Sequence, residues 1–341
     1  MFKESLGKLT TGKNLNDTEV IEFVENMRDD VINDVQIAGF LVGLLMKGPS
    51  VDEVAAIARA MRKNCVQINP KVTGNLTDMC GTGGGLRTFN VSTANSVLTA
   101  AAGVPVAKHG SRSISASSGS ADALEALGVK VELTPEQGKD LIEEVGISFL
   151  YAPSFHPLML KVFFPEQALG IKTIFFTIIG PLINPAGAPH HLMGVYQPNL
   201  VELVANVVTQ LPMKHVIVAH GLDGLDEISI LGKTKLAEIK DGKITKSEIS
   251  PEDFGLKRAQ FDEIKGGDPK FNASVIRDIF EGQDQGPRRD FLVLNNGFTL
   301  YVAGIANSPE EGIKMAQENI DSGKASRKLV EFAEASQKVG T

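Results

Sequence analysis

The sequence contains no tryptophan, only two cysteines and no long apolar segment. Two cysteines, Cys65 and Cys80, are too few for a disulfide framework, which favours a reducing compartment. The richest apolar stretch, residues 171–182, includes lysine, threonine, glycine and proline and is shorter than the ~18 residues that a membrane span needs. We therefore predict a cytoplasmic protein that does not enter a membrane.

Positive charge is also scarce, since 34 lysines and arginines stand against 41 aspartates and glutamates, for a net charge of −7. Proteins dedicated to nucleic acids or anionic membranes normally carry a basic surplus, so we do not expect nucleic acid as a partner. A local basic pocket for phosphates remains compatible with this balance. With 341 residues, 43% of them hydrophobic, the chain can bury a sizeable core and is long enough for two domains.

Two patterns of hydrophobic spacing divide the chain near residue 70. Before it the apolar residues recur at helical spacing, as in the stripe from Ile37 to Leu45, and Ser50 is placed to cap the next helix. From Leu76 onward short apolar strands alternate with helices, which is typical of an α/β layer fold. We predict a small helical domain, residues 1–70, and a large α/β domain, residues 71–341, with a central, mostly parallel sheet flanked by helices.

The predicted elements of the second domain follow from the same patterns. The expected strands are Val104–Ala107, Ile147–Ala152, His215–Ala219 and Ile228–Leu231, and a hairpin pairs Lys235–Ile239 with Ile244–Glu248. The expected helices are Ser120–Leu127, Pro198–Leu211, Glu310–Ile320 and Ser326–Lys338.

A glycine run, residues 81–85, is the first stretch that could carry chemistry. Successive glycines let backbone N–H groups converge on an anion, and Ser92 and Thr93 then open a helix whose amino end favours negative charge. The run matches neither a Walker loop nor a dinucleotide fingerprint. A purely structural tight turn is the alternative.

A second phosphate cradle is predicted where a strand ends in Lys108 and His109. Arg112 and a serine-rich stretch running to Ser120 follow, just before a helix. The alternative is an ordinary solvated loop between a strand and a helix. Two such loops within forty residues indicate a substrate with more than one phosphate.

A third stretch combines an apolar strand with a turn that carries Asp223, Asp226 and Glu227. Carboxylate oxygens beside a polyphosphate suit Mg²⁺, which binds through a few carboxylates, waters and substrate phosphates. Solvated acids in a turn are the alternative.

Proline and glycine breaks at His156-Pro157, 169–173 and 180–185 form a fourth stretch that could shape an apolar acceptor pocket or serve as core hinges. The six histidines and two cysteines show no paired spacing, so we do not expect zinc.

Together these residues resemble the anthranilate phosphoribosyltransferase family, which is related in fold to pyrimidine nucleoside phosphorylases. The resemblance covers about residues 20–335 and keeps the order of the motifs. The matching motifs are Gly81-Thr82-Gly83-Gly84, Asn90-Val91-Ser92-Thr93-Ala94, Lys108-His109-Gly110, Ser118-Gly119-Ser120, His156-Pro157, Gly180-Pro181-Leu182, Asn184-Pro185, Asp223-Gly224-Leu225-Asp226-Glu227 and Arg288-Arg289-Asp290.

The resemblance implies an active site in the cleft between the two domains and a homodimer formed through the helical domain, which helices around 160–185 complete. It implies transfer of a phosphoribosyl group from 5-phosphoribosyl 1-pyrophosphate to an aromatic amine, with Mg²⁺ as cofactor and with Lys108 and His109 as catalytic residues. The implied donor-binding residues are Gly81, Gly84, Gly85, Thr88, Asn90, Ser92, Thr93, Lys108 and Ser120; the metal would be held by Ser92, Asp226 and Glu227; the acceptor would contact Gly81, His109, Ser111, His156 and Glu166.

Several positions depart from the family pattern, mostly in the acceptor half. The glycine loop is one residue shorter and has Gly85 without the usual aspartate, and Ser111 replaces an asparagine. Glu166 stands where the family has an arginine that faces the anthranilate carboxylate, and Phe176 replaces an asparagine. Anthranilate is the leading acceptor. The alternatives are a transferase for another aromatic amine or base, a nucleoside phosphorylase, and a non-catalytic relative that binds nucleic acid.

Overall fold

The protein is described here by a computed structural model, which covers residues 2–113 and 118–339. Its amino-terminal part consists of helices whose starts are set by local side chains. Asn33 and Ser50 each accept a hydrogen bond from the third residue of the helix that follows, whose own side chain bonds back to the cap. The helices are α1 (Phe2–Thr10), α2 (Asp17–Arg28), α3 (Asp34–Lys47) and α4 (Val51–Lys63).

A seven-stranded sheet organises the larger part, in the order β3-β2-β1-β4-β5-β6-β7. The first five strands pair in parallel, and the last two are antiparallel additions at one edge. The strands are β1 (Thr77–Asp78), β2 (Val106–Gly110), β3 (Ile147–Tyr151), β4 (His190–Gly194), β5 (His215–Gly221), β6 (Thr234–Lys240) and β7 (Lys243–Ile249).

Helices cover both faces of this sheet, as expected for parallel strands that are buried on both sides. In β4, Leu192 packs into a core with α5 and α14, while Met193 packs into the core that contains α1 to α4. The remaining helices are α5 (Val91–Ala101), α6 (Ser120–Ala126), α7 (Pro135–Val145), α8 (Ala152–Phe155), α9 (Pro157–Leu169), α10 (Ile179–Leu182), α11 (Leu200–Val208), α12 (Phe261–Ile264), α13 (Pro269–Phe280), α14 (Pro287–Val302), α15 (Pro309–Asp321) and α16 (Lys324–Lys338), with 3₁₀ turns at Ile174–Phe176 and Pro251–Phe254.

Helices α9 and α10 pack with the amino-terminal helices and not with the far side of the sheet. Val162 and Ile179 are fully buried in the same apolar core as Ile37 and Val54. At the carboxyl end of β2 the His109 ring lies 3.2 Å from the Gly180 carbonyl of α10, so this edge of the sheet adjoins these helices.

The predicted fold class is confirmed: amino-terminal helices are followed by a larger α/β part with a mostly parallel sheet. The hairpin is also confirmed, since β6 and β7 meet at Asp241 and Gly242, which both have positive φ as a type I′ turn requires. The helices and three of the predicted strands differ from the prediction by a few residues at their ends.

One predicted strand, Ile228–Leu231, is wrong, because side chains take the hydrogen bonds that a neighbouring strand would otherwise supply. The backbone N–H of Ile228 donates to Asn295, and that of Ser229 donates to the Thr234 hydroxyl. The apolar side chains of Ile228 and Ile230 are fully buried, which explains why the segment resembles a strand in sequence. Strands β1 and β4 were not predicted.

Among the helices of the described residues, none combines the length and the apolar character needed to cross a membrane.

Candidate active site

The sequence-predicted motifs meet at the carboxyl edge of the parallel sheet. The glycine run follows β1, Lys108 and His109 lie at the end of β2, and the acidic turn follows β5. The carboxyl edge of an open α/β sheet is where ligands bind in such folds. The pairing of β1 with both β2 and β4 brings these loops side by side.

The glycine loop lies directly on the acidic turn. The N–H of Leu86 donates to the carbonyl of Gly224 at 3.1 Å, and the N–H of Thr82 donates to the carbonyl of Gly194 at 2.9 Å. A Cβ at Gly85 would overlap the Asp226 carboxylate and come within 2.9 Å of the Gly224 carbonyl. Glycine at 85 is therefore required by close approach, and the shortened loop brings its backbone against the acid that the sequence assigned to the metal.

Asp226 and Glu227 are two adjacent, half-buried acids. Burial raises the pKa of Asp226, and burial together with the charge of Asp226 raises the pKa of Glu227 to about 8. The ammonium group of Lys108 opposes the shift at Glu227. Among the described residues neither carboxylate has an ion-pair partner, and hard oxygen donors with unbalanced charge suit Mg²⁺.

Asn90 starts α5 in an unusual way. Its backbone is left-handed (φ 62°, ψ 46°), and its side chain makes no capping hydrogen bond to the helix. The side-chain oxygen instead accepts from the hydroxyl of Ser118 at 2.9 Å and from the amide of Asn272 at 2.7 Å. The amino end of α5 thus lacks a side-chain cap, which leaves it suited to an anion.

The other predicted donor residues lie around the same helix start. Ser92 is half-buried in the first turn of α5, whereas Thr93 is fully buried and its hydroxyl has no hydrogen-bond partner among the described residues. Thr88 forms an isolated antiparallel bridge with Lys265.

The end of β2 supplies a buried cation and the start of the second loop. Lys108 is only 2% exposed and donates to the carbonyl of Met79 at 2.9 Å, just before the glycine run. Ser120 donates through its hydroxyl to the carbonyl of Ser111 at 3.3 Å. Part of the serine-rich stretch between them, residues 114–117, lies outside the described residues.

Two buried histidines form the predicted acceptor side. The rings of His109 and His156 meet edge to face with centroids 4.9 Å apart. Burial lowers the pKa of His109 to about 4 and that of His156 to about 2, so both rings are neutral at pH 7. Because Nδ1 of His109 lies 3.2 Å from the Gly180 carbonyl, which only accepts, Nδ1 carries the proton and Nε2 presents a lone pair. Nε2 of His109 and both ring nitrogens of His156 are buried without partners among the described residues.

The chain is similar to known glycosyl transferases over most of its length. The family model described as "Glycosyl transferase family, a/b domain" matches residues 73–326, and the model described as "Glycosyl transferase family, helical bundle domain" matches residues 3–65. The anthranilate phosphoribosyltransferase of Acetivibrio thermocellus is 46% identical over 335 residues, which is 98% of this chain and 96% of that protein. The enzyme of the same name from Persephonella marina is 45% identical and covers 98% and 99% of the two chains. The chain belongs to the anthranilate phosphoribosyltransferase family.

Solved structures of anthranilate phosphoribosyltransferases share the whole fold. The crystal structure from Thermus thermophilus has a TM-score of 0.91 at 38% identity and covers 98% of this chain and 99% of that one. The structure from Saccharomyces cerevisiae in complex with PRPP and Mg has a TM-score of 0.88 at 25% identity and covers 98% of each chain. A second structure from that yeast, with 4-fluoroanthranilate, has a TM-score of 0.86 at 25% identity and the same coverage.

Glu166, the main departure from the anthranilate phosphoribosyltransferase pattern, bonds to the segment that follows α9. It is 4% exposed, and its Oε1 accepts from the backbone N–H of Thr173 at 2.9 Å and from the Thr173 hydroxyl. Burial raises the pKa of this carboxyl against the lowering effect of those bonds. The carboxyl therefore ties the end of α9 to the turn before the next 3₁₀ helix.

Three cations, Lys161, Lys172 and Arg112, could compensate for the charge of Glu166. The positive charge of Lys172 lowers the pKa of the Glu166 carboxyl, whereas the other two are paired with different acids. Lys161 pairs with Asp30 at 2.5 Å. Arg112 binds the carboxylates of Glu125 and Glu132 at 2.5 and 2.9 Å.

Asp78 is a site residue that the sequence did not reveal. Its Oδ1 accepts from the N–H groups of Met79 at 2.8 Å and His109 at 3.2 Å, and its Oδ2 accepts from the Asn184 amide at 2.8 Å and the Cys80 thiol at 3.4 Å. One carboxylate thus joins the start of the glycine loop, the end of β2 and the loop after α10. The only sequence signal is an acid directly before the glycine run.

Asp78, Cys80 and His191 each offer a metal-ligating atom within 4.8 Å of the others. Sequence spacing could not reveal this cluster, because Asp78 and His191 become neighbours only when β1 pairs with β4. The Asp78 oxygens and the Nε2 atom of His191 already have hydrogen-bond partners within the protein, and the bond of His191 joins β4 to the residue before the glycine run.

Proposed function

We propose that this chain transfers the phosphoribosyl group of 5-phosphoribosyl 1-pyrophosphate to anthranilate, giving N-(5-phosphoribosyl)anthranilate and pyrophosphate. The amine nitrogen forms a bond to ribose C1, the bond from C1 to the pyrophosphate oxygen breaks with its electron pair, and the amine loses one proton. The observation that carries the proposal is the glycine loop packed on the acid pair beside Lys108, at the edge where such folds bind ligands. The names of the relatives agree with it.

The donor would lie on the glycine loop and the start of α5. Backbone N–H groups, an uncapped helix end and a buried lysine suit the phosphates and the departing pyrophosphate. The proposed donor residues are Gly81, Gly84, Gly85, Thr88, Asn90, Ser92, Thr93, Lys108 and Ser120.

We assign the magnesium site to Asp226 and Glu227, with the hydroxyl of Ser92 as a further ligand. Support comes from the two adjacent, half-buried carboxylates, whose pKa values are raised and which have no ion-pair partner among the described residues. Magnesium would neutralise charge on the pyrophosphate group. The yeast relative was solved in complex with PRPP and Mg, which supports magnesium as the cofactor.

The acceptor would lie against His109 and His156, with Gly81, Ser111 and Glu166 around it. The lone pair on Nε2 of His109 can accept the amine N–H, which would orient the amine nitrogen toward ribose C1. Catalysis would rest mainly on positioning and on neutralising the leaving group, with Lys108 and His109 as the catalytic residues.

The test follows anthranilate fluorescence in a mixture of protein, donor and Mg²⁺ while pyrophosphate release is recorded. The proposal predicts a loss of fluorescence matched by an equal amount of pyrophosphate. The absence of both signals, at a protein concentration high enough to detect about one turnover per minute, would refute the proposed transfer. Thermal stabilisation of the protein by the donor, recorded in parallel, separates the two causes of inactivity. Stabilisation without transfer would mean that the donor half binds and the acceptor half does not function.

A second candidate acceptor is an aromatic amine without a carboxylate, because Glu166 places a buried carboxyl where relatives would need a cation. A carboxylate near a carboxylate is unfavourable, whereas an uncharged amine meets no such repulsion. Pyrophosphate release with anthranilamide faster than with anthranilate would favour this alternative.

We also propose a homodimer formed through the amino-terminal helices, in the cytoplasm, where phosphorylated substrates are retained. Large apolar side chains of α3 and α9 lie exposed, notably Val35 (80%) and Phe164 (59%), and both line one surface groove. Light scattering should give twice the chain mass of 36.5 kDa for the wild type and a smaller mass for Phe164→Glu. A wild-type monomer would contradict the proposal.

A further inference from the structure

The segment before α13 contacts the residues that directly follow the glycine loop. The N–H of Gly266 donates to the carbonyl of Arg87 at 3.1 Å, and Lys265 bridges to Thr88. A Cβ at Gly266 would overlap the carbonyl of Thr88. This contact brings α13, which carries none of the motifs found in the sequence, next to the proposed donor site.

Asn272 of α13 makes the link between this segment and Asn90. It is 1% exposed, its Oδ1 accepts from the backbone N–H of Gly267 at 2.8 Å, and its Nδ2 donates to Oδ1 of Asn90 at 2.7 Å. Since a backbone N–H can only donate, the oxygen of Asn272 must face Gly267 and its NH₂ group must face Asn90. The orientation of the Asn272 amide is therefore fixed by the main chain.

The Asn272 amide in turn fixes the orientation of the Asn90 amide. Because the NH₂ group of Asn272 points at it, Asn90 must present its oxygen there, and the hydroxyl of Ser118 donates to that same oxygen at 2.9 Å. The NH₂ group of Asn90 is left on the other side, where its contact with the Ser118 carbonyl is long, at 3.4 Å. That group can donate to a phosphate or ribose oxygen, whereas the opposite amide orientation would present an oxygen to an oxygen.

We propose that Asn272 is a positioning residue of the donor site, which holds the Asn90 amide with its NH₂ group toward the donor. This inference rests on the proposed function, because it takes Asn90 as a donor-binding residue. Asn272 itself touches no substrate and acts only through Asn90.

The test replaces Asn272 by aspartate in the full-length protein. The carboxylate still accepts from the Gly267 N–H, but it turns an oxygen toward Asn90, whose amide must then rotate and face the donor with its own oxygen. Loss of one hydrogen bond to a charged group predicts a Kd and KM for 5-phosphoribosyl 1-pyrophosphate raised about tenfold or more, with the KM for anthranilate within about twofold. Asn272→Ala removes the constraint without reversing it, so a smaller rise is expected.

Asn296→Asp is the matched control. Asn296 is also fully buried, and its amide donates to Oδ1 of Asn95 and to the hydroxyl of Thr99, both at 2.8 Å, between α14 and α5. The same chemical change there should lower the thermal midpoint and leave the donor Kd unchanged. An equal loss of donor affinity in both variants would overturn the proposal, since it would report a general loss of packing.

A double variant keeps the test decisive if both single variants are less stable. With the amide already removed in Asn90→Ala, the change Asn272→Asp should weaken donor binding by less than about twofold more. Additive losses, or an unchanged donor Kd in Asn272→Asp, would overturn the proposal. Wild-type protein that fails to bind the donor at all would instead refute the proposed function, so the two failures are distinguishable.

Discussion

The donor and acceptor halves of the candidate site differ in how many of their polar groups have hydrogen-bond partners within the protein. In the donor half, short side chains and backbone groups bond across segments: Asn90 to Ser118 and Asn272, and the glycine loop to the acidic turn. In the acceptor half, three ring nitrogens of His109 and His156 are buried without partners among the described residues. A buried polar group without a partner is costly. In the donor half the Thr93 hydroxyl has no hydrogen-bond partner and the acids Asp226 and Glu227 have no ion-pair partner among the described residues, but the frame around them is hydrogen-bonded. We infer that the donor half is the more preformed of the two and that a ligand completes the acceptor half.

The largest expected effect comes from removing the charge on which the donor half depends. Asp226→Ala combined with Glu227→Ala should lower the rate of pyrophosphate release by about a thousandfold or more, because the proposed magnesium site beside the leaving group would be lost. The measurement is the initial rate at saturating donor over a series of Mg²⁺ concentrations. Glu252→Ala with Asp253→Ala, an adjacent acidic pair outside the cleft, is the matched control and should leave the rate unchanged. Equal rates for wild type and the first variant would remove these acids from the metal site.

A smaller effect is expected in the acceptor half, from Glu166→Gln. The glutamine oxygen can still accept from the Thr173 N–H, so the segment after α9 should keep its conformation while the negative charge is removed. We expect the KM for anthranilate to fall about three- to tenfold, with the donor KM unchanged. Glu310→Gln, at an exposed position, is the control. A rise in both KM values would mean that Glu166 matters only for structure.

A third effect concerns stability and pH. A histidine whose pKa is lowered in the folded state binds its proton more readily when unfolded, so it destabilises the fold as pH drops below about 6.5. The pKa of His156, which burial lowers to about 2, implies a loss of about 2 kcal/mol between pH 7 and pH 5. Urea unfolding of His156→Gln should show a pH dependence weaker by that amount. The same dependence in both proteins would mean that His156 is accessible to protons in the folded state.

The donor half could be predicted from sequence further than the acceptor half. Motifs at the carboxyl ends of parallel strands share one edge, so the meeting of the glycine run, Lys108 and the acids follows once the α/β pattern is recognised. The partners of Asp78 and Asn272 lie far along the chain, and no local pattern announces them.

The acceptor half was harder to predict because the residues that make its hydrogen bonds belong to no recognised sequence motif. Glu166 bonds to Thr173, seven residues away, and the two residues come together only because the chain turns back after α9. The wrongly predicted strand at 228–231 has a similar cause, since Asn295 and Thr234 supply hydrogen bonds that hydrophobic spacing does not reveal.

The most direct test of a separable, preformed donor half is calorimetric titration of donor with Mg²⁺, without acceptor, into wild-type protein and His156→Gln. The difference between the two halves predicts equal donor Kd values within about twofold, while the variant loses transfer to anthranilate. A donor Kd that rises in step with the loss of transfer would contradict it and would mean that the two halves form one cooperative site.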